Sequence, residues 1–557
     1  MNERTSASTG ASPPHDVAIV GGGHNALVAA FYLARAGLDV VVLEKNPVVG
    51  GAAVTEEFHP GFRNSVASYT VSLLSPRVIA DMQLARHGLE VLERPAANFW
   101  PIDEKHGLLM PFGIAARQAA IAPFSARDAA ALPGYEAALD RAAGVLRDLM
   151  DEAPPNAGGG LIEALRAGRV GRHLARRPLA DQRLLAELMT TSAEDFLSRW
   201  FESEVVKGAF AFDGIVGAYA APSTPGTAYV LLHHCFGEVN GKPGMWGHAR
   251  GGMGAITQAM AAAAVEAGAR IRTETEVASI LVENDDAVGG VRLTDGSVIQ
   301  ARAVAAGVPP KLLFSRLVPA GAVTETTRAA FTGIKSGSGT FRMNVALSEL
   351  PDFTCRPGRT AAAHHGAGIV IGPTLAYLEQ AYVDARAHGW ARQPVVEMLI
   401  PSTLDPALAP PGQHVASLFV QHVAPHLPGG RSWADPAEKQ AFADVVIGTV
   451  TAHAPNFRAS ILGRQVLSPL DLETRFGLID GDIFHGQLSL GQLYALRPVL
   501  GHADYRMPVA GLYLCGSGAH PGGGVTGLPG RNAARAILAD MQPGLLRRGG
   551  PHRGRRE

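Results

Sequence analysis

The chain contains few cysteines and no closely spaced cysteine pair. Among its 557 residues only Cys235, Cys355 and Cys515 are cysteines, and they are widely separated. A dithiol redox centre and a thiolate zinc site are therefore both excluded, and we expect no metal site. Because so few cysteines suit a reducing compartment, we expect a cytoplasmic protein.

The chain also lacks an excess of either charge and any long apolar run. The formal net charge is −1 and the pI is about 7.1, so the composition offers no electrostatic basis for nucleic-acid binding. The mean hydropathy of +0.09 is high, yet no uninterrupted apolar run is long enough to span a bilayer. Peripheral membrane contact stays open as a possibility.

Polar sequence is concentrated at the two ends of the chain. Residues 1–14 are rich in Ser, Thr and Pro and lack the apolar segment of a secretory signal, so we expect a disordered lead. Residues 543–557 are basic and Gly-rich, and we expect a disordered tail, with weak contact to anionic lipid as the alternative. A chain of this length needs two or more domains between these ends.

A nucleotide-binding pattern begins at residue 16. A buried strand over 17–20 leads into Gly21, Gly23 and Ala26, which occupy the three positions of G-x-G-x-x-G/A. The helix predicted over about 25–36 points its N-terminus at a pyrophosphate, and Gly37 is a natural stop. A Gly-rich turn in another kind of α/β protein would explain the glycines alone.

An acidic residue ends the second predicted strand, which covers residues 40–43. Glu44 lies about 20 residues after the glycines, where a carboxylate accepts hydrogen bonds from ribose hydroxyls. It would also repel a 2′-phosphate, which argues against NADP. The strand, glycines, helix, second strand and acid occur in register, and together they predict a dinucleotide site.

Two further stretches have sequence patterns that suit the same nucleotide-binding domain. Gly-rich residues 250–254 precede an Ala-rich helix over 255–267, strands over 269–272 and 276–282, and a hairpin that turns at Asp295 and Gly296. This order suits a third sheet strand followed by a β-meander. Near the C-terminus, an apolar strand over 511–515 leads into a glycine loop over 516–530 and a helix over about 531–541.

These stretches predict a domain whose parts are separated in sequence. We assign 15–75, 246–310 and 501–542 to a discontinuous nucleotide-binding domain, and 76–245 and 311–500 to a substrate or cap domain. No second intact G-x-G-x-x-G follows a strand, so a separate NAD(P)H domain is not expected.

At this point the sequence resembles known flavoproteins. The glycine pattern with Glu44 and the doublet Gly50-Gly51 resembles the FAD pattern of glutathione-reductase-like flavoproteins. Residues 250–254, 514–527, 223–228 and 482–486 resemble phytoene desaturase-type FAD-dependent oxidoreductases, most closely the pyridine nucleotide-disulfide oxidoreductase domain-containing protein 2 group. The resemblance covers about 16–540. Disulfide chemistry is not expected, because no cysteine pair exists.

The resemblance implies an α/β fold and noncovalently bound FAD. The fold would be a glutathione-reductase-like Rossmann FAD-binding domain with a β-meander, plus an α+β substrate domain inserted in the chain. Glu44 would bind the adenosine ribose, the Val277 backbone the adenine edge, and 516–527 the ribityl chain and isoalloxazine. The implied FAD-binding residues are Gly21, Gly23, Asn25, Ala26, Glu44, Lys45, Gly50, Gly51, Ala52, Arg250, Val277, Gly516, Ser517, Gly523, Gly524, Val525 and Thr526.

Arg250 stands beside glycines, where a guanidinium could neutralise an FAD phosphate, although an exposed surface arginine is the alternative. Candidate acid–base residues are His233, His234, His485, His520, Asp482, Tyr494 and Arg497.

Histidine is the first choice for proton transfer because its pKa lies near neutrality. We name His520, His485 and His233 as catalytic candidates, each with a structural role as its alternative. On a strand, His233 and His234 would point to opposite faces, which disfavours a metal site. Asp482 and His485 would share a face on a helix, but the flanking Gly481 and Gly486 favour a turn.

The expected activity is transfer of a hydride from a substrate C–H bond to flavin N5. Desaturase relatives suggest a CH–CH desaturase or oxidase acting on a small hydrophobic, carotenoid- or isoprenoid-like substrate, with oxygen or a quinone as electron acceptor. A flavin amine oxidase-like enzyme is the first alternative, although it would need an aromatic pair before the flavin and the terminal block offers only Tyr513. A non-catalytic FAD-binding regulatory protein is the second.

Overall fold

The computed structural model describes residues 13–283 and 287–542, so the predicted tail and most of the predicted lead lie outside the described residues. The strands are β1 (His15–Val20), β2 (Val40–Leu43), β3 (Thr55–His59), β4 (Phe62–Ser65), β5 (Val91–Glu93), β6 (Asn98–Pro101), β7 (Gly107–Met110), β8 (Glu238–Val239), β9 (Lys242–Pro243), β10 (Gly247–Ala249), β11 (Arg270–Arg272), β12 (Val277–Glu283), β13 (Ala287–Leu293), β14 (Val298–Ala306), β15 (Thr340–Leu347), β16 (Gly368–Ile371), β17 (Trp390–Leu399), β18 (His414–Val423), β19 (Ile461–Leu467) and β20 (Leu512–Leu514). The α-helices are α1 (His24–Arg35), α2 (Pro76–Asp81), α3 (Ile114–Ile121), α4 (Ala126–Met150), α5 (Gly160–Ala175), α6 (Leu179–Thr190), α7 (Ala193–Ser198), α8 (Glu204–Ala211), α9 (Thr227–His234), α10 (Met253–Glu266), α11 (Pro310–Leu312), α12 (Glu325–Thr332), α13 (Leu375–His388), α14 (Pro436–His453), α15 (Phe457–Ser460), α16 (Pro469–Phe476) and α17 (Leu528–Met541).

A parallel sheet carries the predicted nucleotide-binding pattern. Its strands follow the order β11, β2, β1, β14, β20, and all four pairings between neighbours are parallel. The apolar runs of β1 and β2 are buried because helices cover both faces of such a sheet. The strands come from three separated stretches, 15–43, 270–306 and 512–514, so the three segments assigned to one domain contribute to one sheet.

The predicted β-meander is formed by β12, β13 and β14. Strand β14 connects the meander to the parallel sheet. Its first residues pair antiparallel with β13, and its last residues pair parallel with β1 and β20. The hairpin between β13 and β14 turns at Gly296, whose φ is +85°. The sequence prediction of this hairpin is confirmed.

Helices α1 and α17 pack closely beside the sheet. The packing needs glycine at residue 530, because a Cβ atom there would overlap the backbone oxygen of Asn25. Helix α17 begins at Leu528, three residues before the predicted start, because Gly527 (φ +75°) ends the glycine loop and Pro529 suits the first helical turn. Helix α10 also packs against α1.

A second sheet and a group of helices occupy the residues assigned to the substrate domain. The sheet has the order β19, β15, β18, β17, β16, β6, β7 and is mostly antiparallel. Its apolar face packs on α14, where Phe341 and Phe442 meet edge to face with centroids 4.8 Å apart. The described residues thus fit the expected α/β fold with an α+β part, while the exact domain boundaries stay a prediction.

Helices α3 to α9 form a separate apolar core around Tyr135, which contacts the rings of Phe196, Phe201 and Phe210. Helix α5 is the exception in this group, since none of its residues is buried. In the described ranges, no helix combines the length and the apolar character needed to cross a membrane.

Candidate functional site

A cavity of about 680 Å³ lies between the two sheets. Its walls include residues that end β1 and β2 in the parallel sheet, and Glu397 and Phe419 from β17 and β18 in the second sheet. Most of the predicted FAD-binding residues line it: Gly21, Gly23, Asn25, Ala26, Glu44, Lys45, Gly50, Gly51, Ala52, Val277, Ser517, Gly524 and Val525.

The N-terminus of α1 opens into this cavity. Its N-cap residue is Gly23, its first turn contains no acidic residue, and within residues 13–283 and 287–542 no side chain caps it. A Cβ atom on Gly23 would meet no atom of the described residues within 4 Å, so open space lies next to the backbone there. Uncapped N–H groups and the helix dipole favour an anion here. This end of the cavity therefore suits a pyrophosphate.

Glu44 is buried at the end of β2 and is held in place by backbone. One oxygen accepts a hydrogen bond from the N–H of Gly22 at 2.7 Å, and the other accepts from the Asn46 N–H at 2.9 Å and its side-chain amide at 2.8 Å. The oxygen bound by Gly22 accepts only this one hydrogen bond, so it can still accept a bond from a ribose hydroxyl. Lys45 lines the cavity but its ammonium donates to the Thr474 carbonyl at 3.1 Å.

The doublet Gly50-Gly51 and the C-terminal loop complete the cradle. The N–H of Gly50 donates to the Gly22 carbonyl at 2.9 Å, and a Cβ on Gly50 would lie 2.7 Å from Thr257 Oγ1. From the C-terminal loop, Ser517 Oγ accepts a bond from the Asn25 amide at 3.1 Å, which ties the loop to α1. Val525 lines the cavity with a φ of +57°.

Three residues predicted from the same loop do not line the cavity. Gly516 packs against Gly307, Gly523 packs against Phe484, and the Thr526 hydroxyl accepts from the Leu528 N–H at 3.2 Å. These residues shape the loop that presents Ser517, Gly524 and Val525.

The structure places Arg250 outside the cavity. Its guanidinium pairs with the Glu90 carboxylate through two bonds of 2.6 and 2.9 Å, and about half of its side chain is exposed. The prediction that it neutralises an FAD phosphate is not supported by this placement, and the alternative, a surface arginine, describes it. The carboxylate of Glu90 balances the positive charge of Arg250, so this arginine does not need an anionic ligand.

Of the three catalytic candidates, His233 and His485 line the cavity and His520 does not. His520 is buried, its Nε2 lies 2.9 Å from the Leu149 carbonyl, and its ring contacts Tyr494. Burial lowers its pKa to about 4. The interaction with Leu149 gives His520 the structural role named as its alternative.

His233 and His234 lie on helix α9, so the expectation that they point to opposite faces of a strand is wrong. Both are buried and both line the cavity. No hydrogen-bond partner of His233 Nε2 is present among the described residues, and this atom would lie 3.5 Å from a Cβ on Gly524. Burial and the neighbouring His234 and Arg497 lower the pKa of His233 to about 3.

The Asp482–His485 segment is the predicted turn. The Asp482 carboxylate accepts from the N–H groups of Gly337 and Phe484 at 2.9 and 2.8 Å, and it does not line the cavity. Burial, followed by the charge of Arg497, lowers the pKa of His485 to about 3. Its Nδ1 is buried without a partner in the described ranges.

Arg497 has a structural role. It is fully buried, and its guanidinium donates to the carbonyls of Phe484 at 2.6 Å and Ser517 at 2.7 Å. It therefore joins the turn that carries His485 to the C-terminal loop. Tyr494 and Arg497 do not line the cavity.

Sequence reasoning missed a group of polar residues that lines the far part of the cavity. We call it the polar end; its members are Tyr69, Thr70, Arg94, Asn98, Asp213 and Glu397. One signal was available, because Glu397 interrupts the apolar run of β17 and a lone charge there rarely serves packing. His24, beside the glycines, was also missed; burial lowers its pKa to about 4.

The described residues contain no group of three or more His, Cys, Asp or Glu side chains that could hold a metal ion. The cavity fits FAD instead. It combines an uncapped helix N-terminus, a buried acid beside it, close glycine backbone and a long continuation away from them.

Comparisons with known proteins agree with this geometry. Residues 27–340 match the family described as flavin containing amine oxidoreductase. A pyridine nucleotide-disulfide oxidoreductase domain-containing protein 2 from Rattus norvegicus is 42% identical over 549 residues, which are 95% of this chain and 94% of the relative. A lycopene-forming phytoene desaturase from Pseudescherichia vulneris is 26% identical over 94% of this chain and 99% of its own length.

A solved structure of a putrescine oxidase triple variant superposes with a TM-score of 0.59 at 15% identity, covering 95% of this chain and 98% of its own, which shows the shared fold. The family match, the relatives and the cradle all indicate FAD. The chain therefore belongs to the flavin containing amine oxidoreductase family and is an FAD-dependent oxidoreductase.

Proposed function

We propose that this protein removes a hydride and a proton from adjacent carbons of a largely hydrophobic substrate, leaving a double bond. The observation that supports this reaction is the cavity wall around His233. Apolar side chains of Leu73, Phe212, Val216 and Phe484 share that wall with an imidazole nitrogen that has no partner in the described part of the chain. Bound FAD supplies the two-electron acceptor for the hydride.

In this proposal His233 Nε2 accepts the proton. Its low pKa keeps the imidazole unprotonated at neutral pH, so an acceptor lone pair is always present. A weak base is sufficient, because loss of hydride makes the neighbouring C–H strongly acidic. The electrons of that C–H bond then form the double bond. His485 is the second candidate acceptor, since it also lines the cavity and its Nδ1 has no partner among the described residues.

The cofactor contacts are part of the proposal. We propose that the N-terminus of α1 binds the pyrophosphate, Glu44 the adenosine ribose and Val277 the adenine edge, with Ser517, Gly524 and Val525 beside the flavin. None of the three cysteines lines the cavity, which supports noncovalent binding of FAD. Oxygen or a quinone would reoxidise the cofactor.

Amine oxidation is the second candidate, because the family match and the putrescine oxidase fold favour it. An aromatic pair around the amine is not evident here. The Tyr513 hydroxyl donates to Asp540 at 2.7 Å outside the cavity. Tyr69 and Phe419 both line the cavity but stack on each other with centroids 5.3 Å apart, which leaves no space between the rings.

We also propose that helix α5 lies on an anionic membrane surface. Leu161, Ile162 and Leu165 are 77%, 73% and 66% exposed, and Arg169, Arg172 and Arg176 continue the same exposed stripe. Exposed apolar residues next to a basic row are typical of an interfacial helix. Contact of α5 with a membrane would give the enzyme access to an apolar substrate. It would also agree with the expectation of a membrane-associated cytoplasmic protein.

Anaerobic reduction of the bound flavin tests the proposed reaction. The oxidised holoenzyme is mixed under argon with carotenoid or isoprenoid hydrocarbons, saturated acyl compounds, or primary and secondary amines, and the flavin absorbance near 450 nm is followed. Bleaching with a substrate that gains a double bond supports the proposal. Bleaching by amines alone would contradict it, and no bleaching by any compound would favour the regulatory alternative.

A further inference from the structure

Two buried arginines lie at the polar end of the cavity or directly behind it, and one carboxylate lies near both of them. Arg94 lines it and is 3% exposed, and Arg342, 1% exposed, lies behind Tyr69 with its guanidinium 4.4 Å from that ring. Glu397 is the carboxylate near both guanidinium groups, and its side chain accepts a hydrogen bond from the Tyr69 hydroxyl. Neither arginine forms an ion pair with it within the described ranges, where Arg94 and Arg342 have no salt-bridge partner at all.

The guanidinium groups of Arg94 and Arg342 also have fewer hydrogen-bond acceptors around them than they have N–H donors. Arg94 donates to Thr70 Oγ1 at 2.6 Å and weakly to the Ala97 carbonyl at 3.4 Å, and its Nε has no partner in the described chain. Arg342 donates to Ser417 Oγ at 2.7 Å, which leaves its Nε and one terminal nitrogen unpartnered there. A buried cation without acceptors is costly, so such a group is usually paired.

The remaining acid, Asp213, does not balance these charges. Its pKa is raised to about 7 by burial, with a smaller contribution from Glu397, so it is only partly ionised at neutral pH. The guanidinium groups of Arg94 and Arg342 therefore have only two carboxyl groups near them among the described residues of the polar end, Glu397 and the partly ionised Asp213. Asn98 also lines this end, and it can donate from its amide.

We infer that the substrate carries a carboxylate, and that Arg94 binds it at the polar end while the apolar part of the substrate lies beside His233. An amine would place a second cation beside Arg94, and an uncharged head would leave the excess positive charge unpaired. Trp246 connects the two regions, because Arg94 lies 5.8 Å from its ring and His234 stacks on it. This inference rests on the proposed function, since it narrows its substrate class to amphipathic carboxylates.

Three probes of equal chain length test it: decanoate, decanol and decylamine. Each is titrated into the oxidised holoenzyme, and binding is read from the change in the flavin absorbance spectrum. We expect decanoate to bind about tenfold or more tightly than decanol, as a charge-assisted bond to a guanidinium implies. We expect Arg94→Gln to remove that difference and Arg94→Lys to retain part of it.

The exposed Arg86, which pairs with Glu266, supplies the matched control Arg86→Gln, and this variant should bind decanoate like the wild type. Equal binding of decanoate and decanol by the wild type, tighter binding of decylamine, or no binding of any probe would each overturn the inference. The wild-type comparison needs no variant to fold. Decanoate binding without reduction by any CH–CH substrate would contradict the proposed function and leave the carboxylate site standing.

Discussion

His233 is the residue on which the proposed chemistry depends. We expect His233→Asn to retain FAD and bind substrate, while flavin reduction slows by about 10²- to 10⁴-fold, the usual contribution of a positioned base. Single-turnover stopped-flow reduction measures this rate. Because the pKa of His233 is about 3, the wild-type rate should show no ionisation from this residue between pH 5 and 9.

His364 provides a matched control for that substitution. It is a buried histidine whose pKa is also lowered to about 3 and whose ring nitrogens lack partners in the described ranges, but it does not line the cavity. His364→Asn should leave the reduction rate unchanged. If both variants are equally slow, the effect on His233 reflects altered packing instead of proton transfer.

Individual site residues were predictable only where local sequence determines their position. Gly21, Gly23 and Glu44 follow from a strand–turn–helix pattern, because chain connectivity alone brings them together. The positions of Arg250 and His520 depend on partners that are far away in sequence. Arg250 binds Glu90, and His520 lies next to the Leu149 carbonyl. No local pattern encodes those pairings, so the sequence could not show that neither residue lines the cavity.

At the scale of elements, the contact between α1 and α17 should control cofactor binding. Gly530→Ala would place a Cβ atom onto the Asn25 backbone, which forces the two helices apart. We expect a destabilisation of about 1–3 kcal/mol, typical of overpacking, and a weaker hold on FAD. Chemical denaturation and fluorescence of released flavin measure the two effects.

Gly144 in helix α4 is the matched control. A Cβ atom there would meet nothing within 4 Å, and its φ is not positive. Gly144→Ala should be neutral or stabilising by up to about 1 kcal/mol. An equal loss of flavin in both variants would show that the helix contact is not the cause.

Helix α5 allows a test of membrane contact. We expect the protein to sediment with vesicles containing 30% phosphatidylserine and far less with pure phosphatidylcholine vesicles, because its stripe combines apolar and basic side chains. The triple variant Leu161→Ser, Ile162→Ser, Leu165→Ser should lose this binding. These side chains are exposed, so the variant should fold normally.

Val383 on α13 and Leu462 on β19 provide the control, since both are exposed apolar residues outside α5. The variant Val383→Ser with Leu462→Ser should sediment like the wild type. Equal binding to both vesicle types by the wild type would contradict a role for α5 at anionic surfaces.

Secondary structure was predictable where the hydrophobic pattern was unambiguous. Strands β1 and β2, the hairpin before β14 and the helix after the glycine loop appeared within a few residues of their predicted positions. The segment around His233 was mistaken for a strand, because the apolar run 230–232 is equally compatible with a short buried helix. A segment that is buried on all sides lacks the spacing of apolar and polar residues that distinguishes a helix from a strand.

For the whole molecule, buried histidines should make stability depend on pH. Burial lowers the pKa of seven of them to about 3 or 4: His24, His233, His248, His364, His422, His485 and His520. The unfolded chain binds protons near pH 6.5 and the folded protein does not, so the free energy of unfolding is greatest above pH 6.5 and falls as the pH drops towards 3. We expect the urea midpoint to decrease steeply between pH 7 and 5.

Replacing one such histidine should reduce that dependence. His364→Asn should flatten the decrease, whereas His106→Asn, at an exposed position, should leave it unchanged. Urea midpoints measured at pH 7, 6 and 5 give the slopes. A wild-type midpoint that is constant over this range would contradict the assignment of these histidines as neutral in the folded state.

The parallel sheet that carries the cofactor cradle takes its strands from both ends of the chain, with β1 near the start and β20 only at 512–514. A ribosome finishes the first strand about five hundred residues before the last one. Four of the five strands are complete by residue 306, so for the rest of its synthesis the growing chain lacks only strand β20 and the C-terminal loop. We therefore expect FAD to bind stably only once the C-terminal loop has been made.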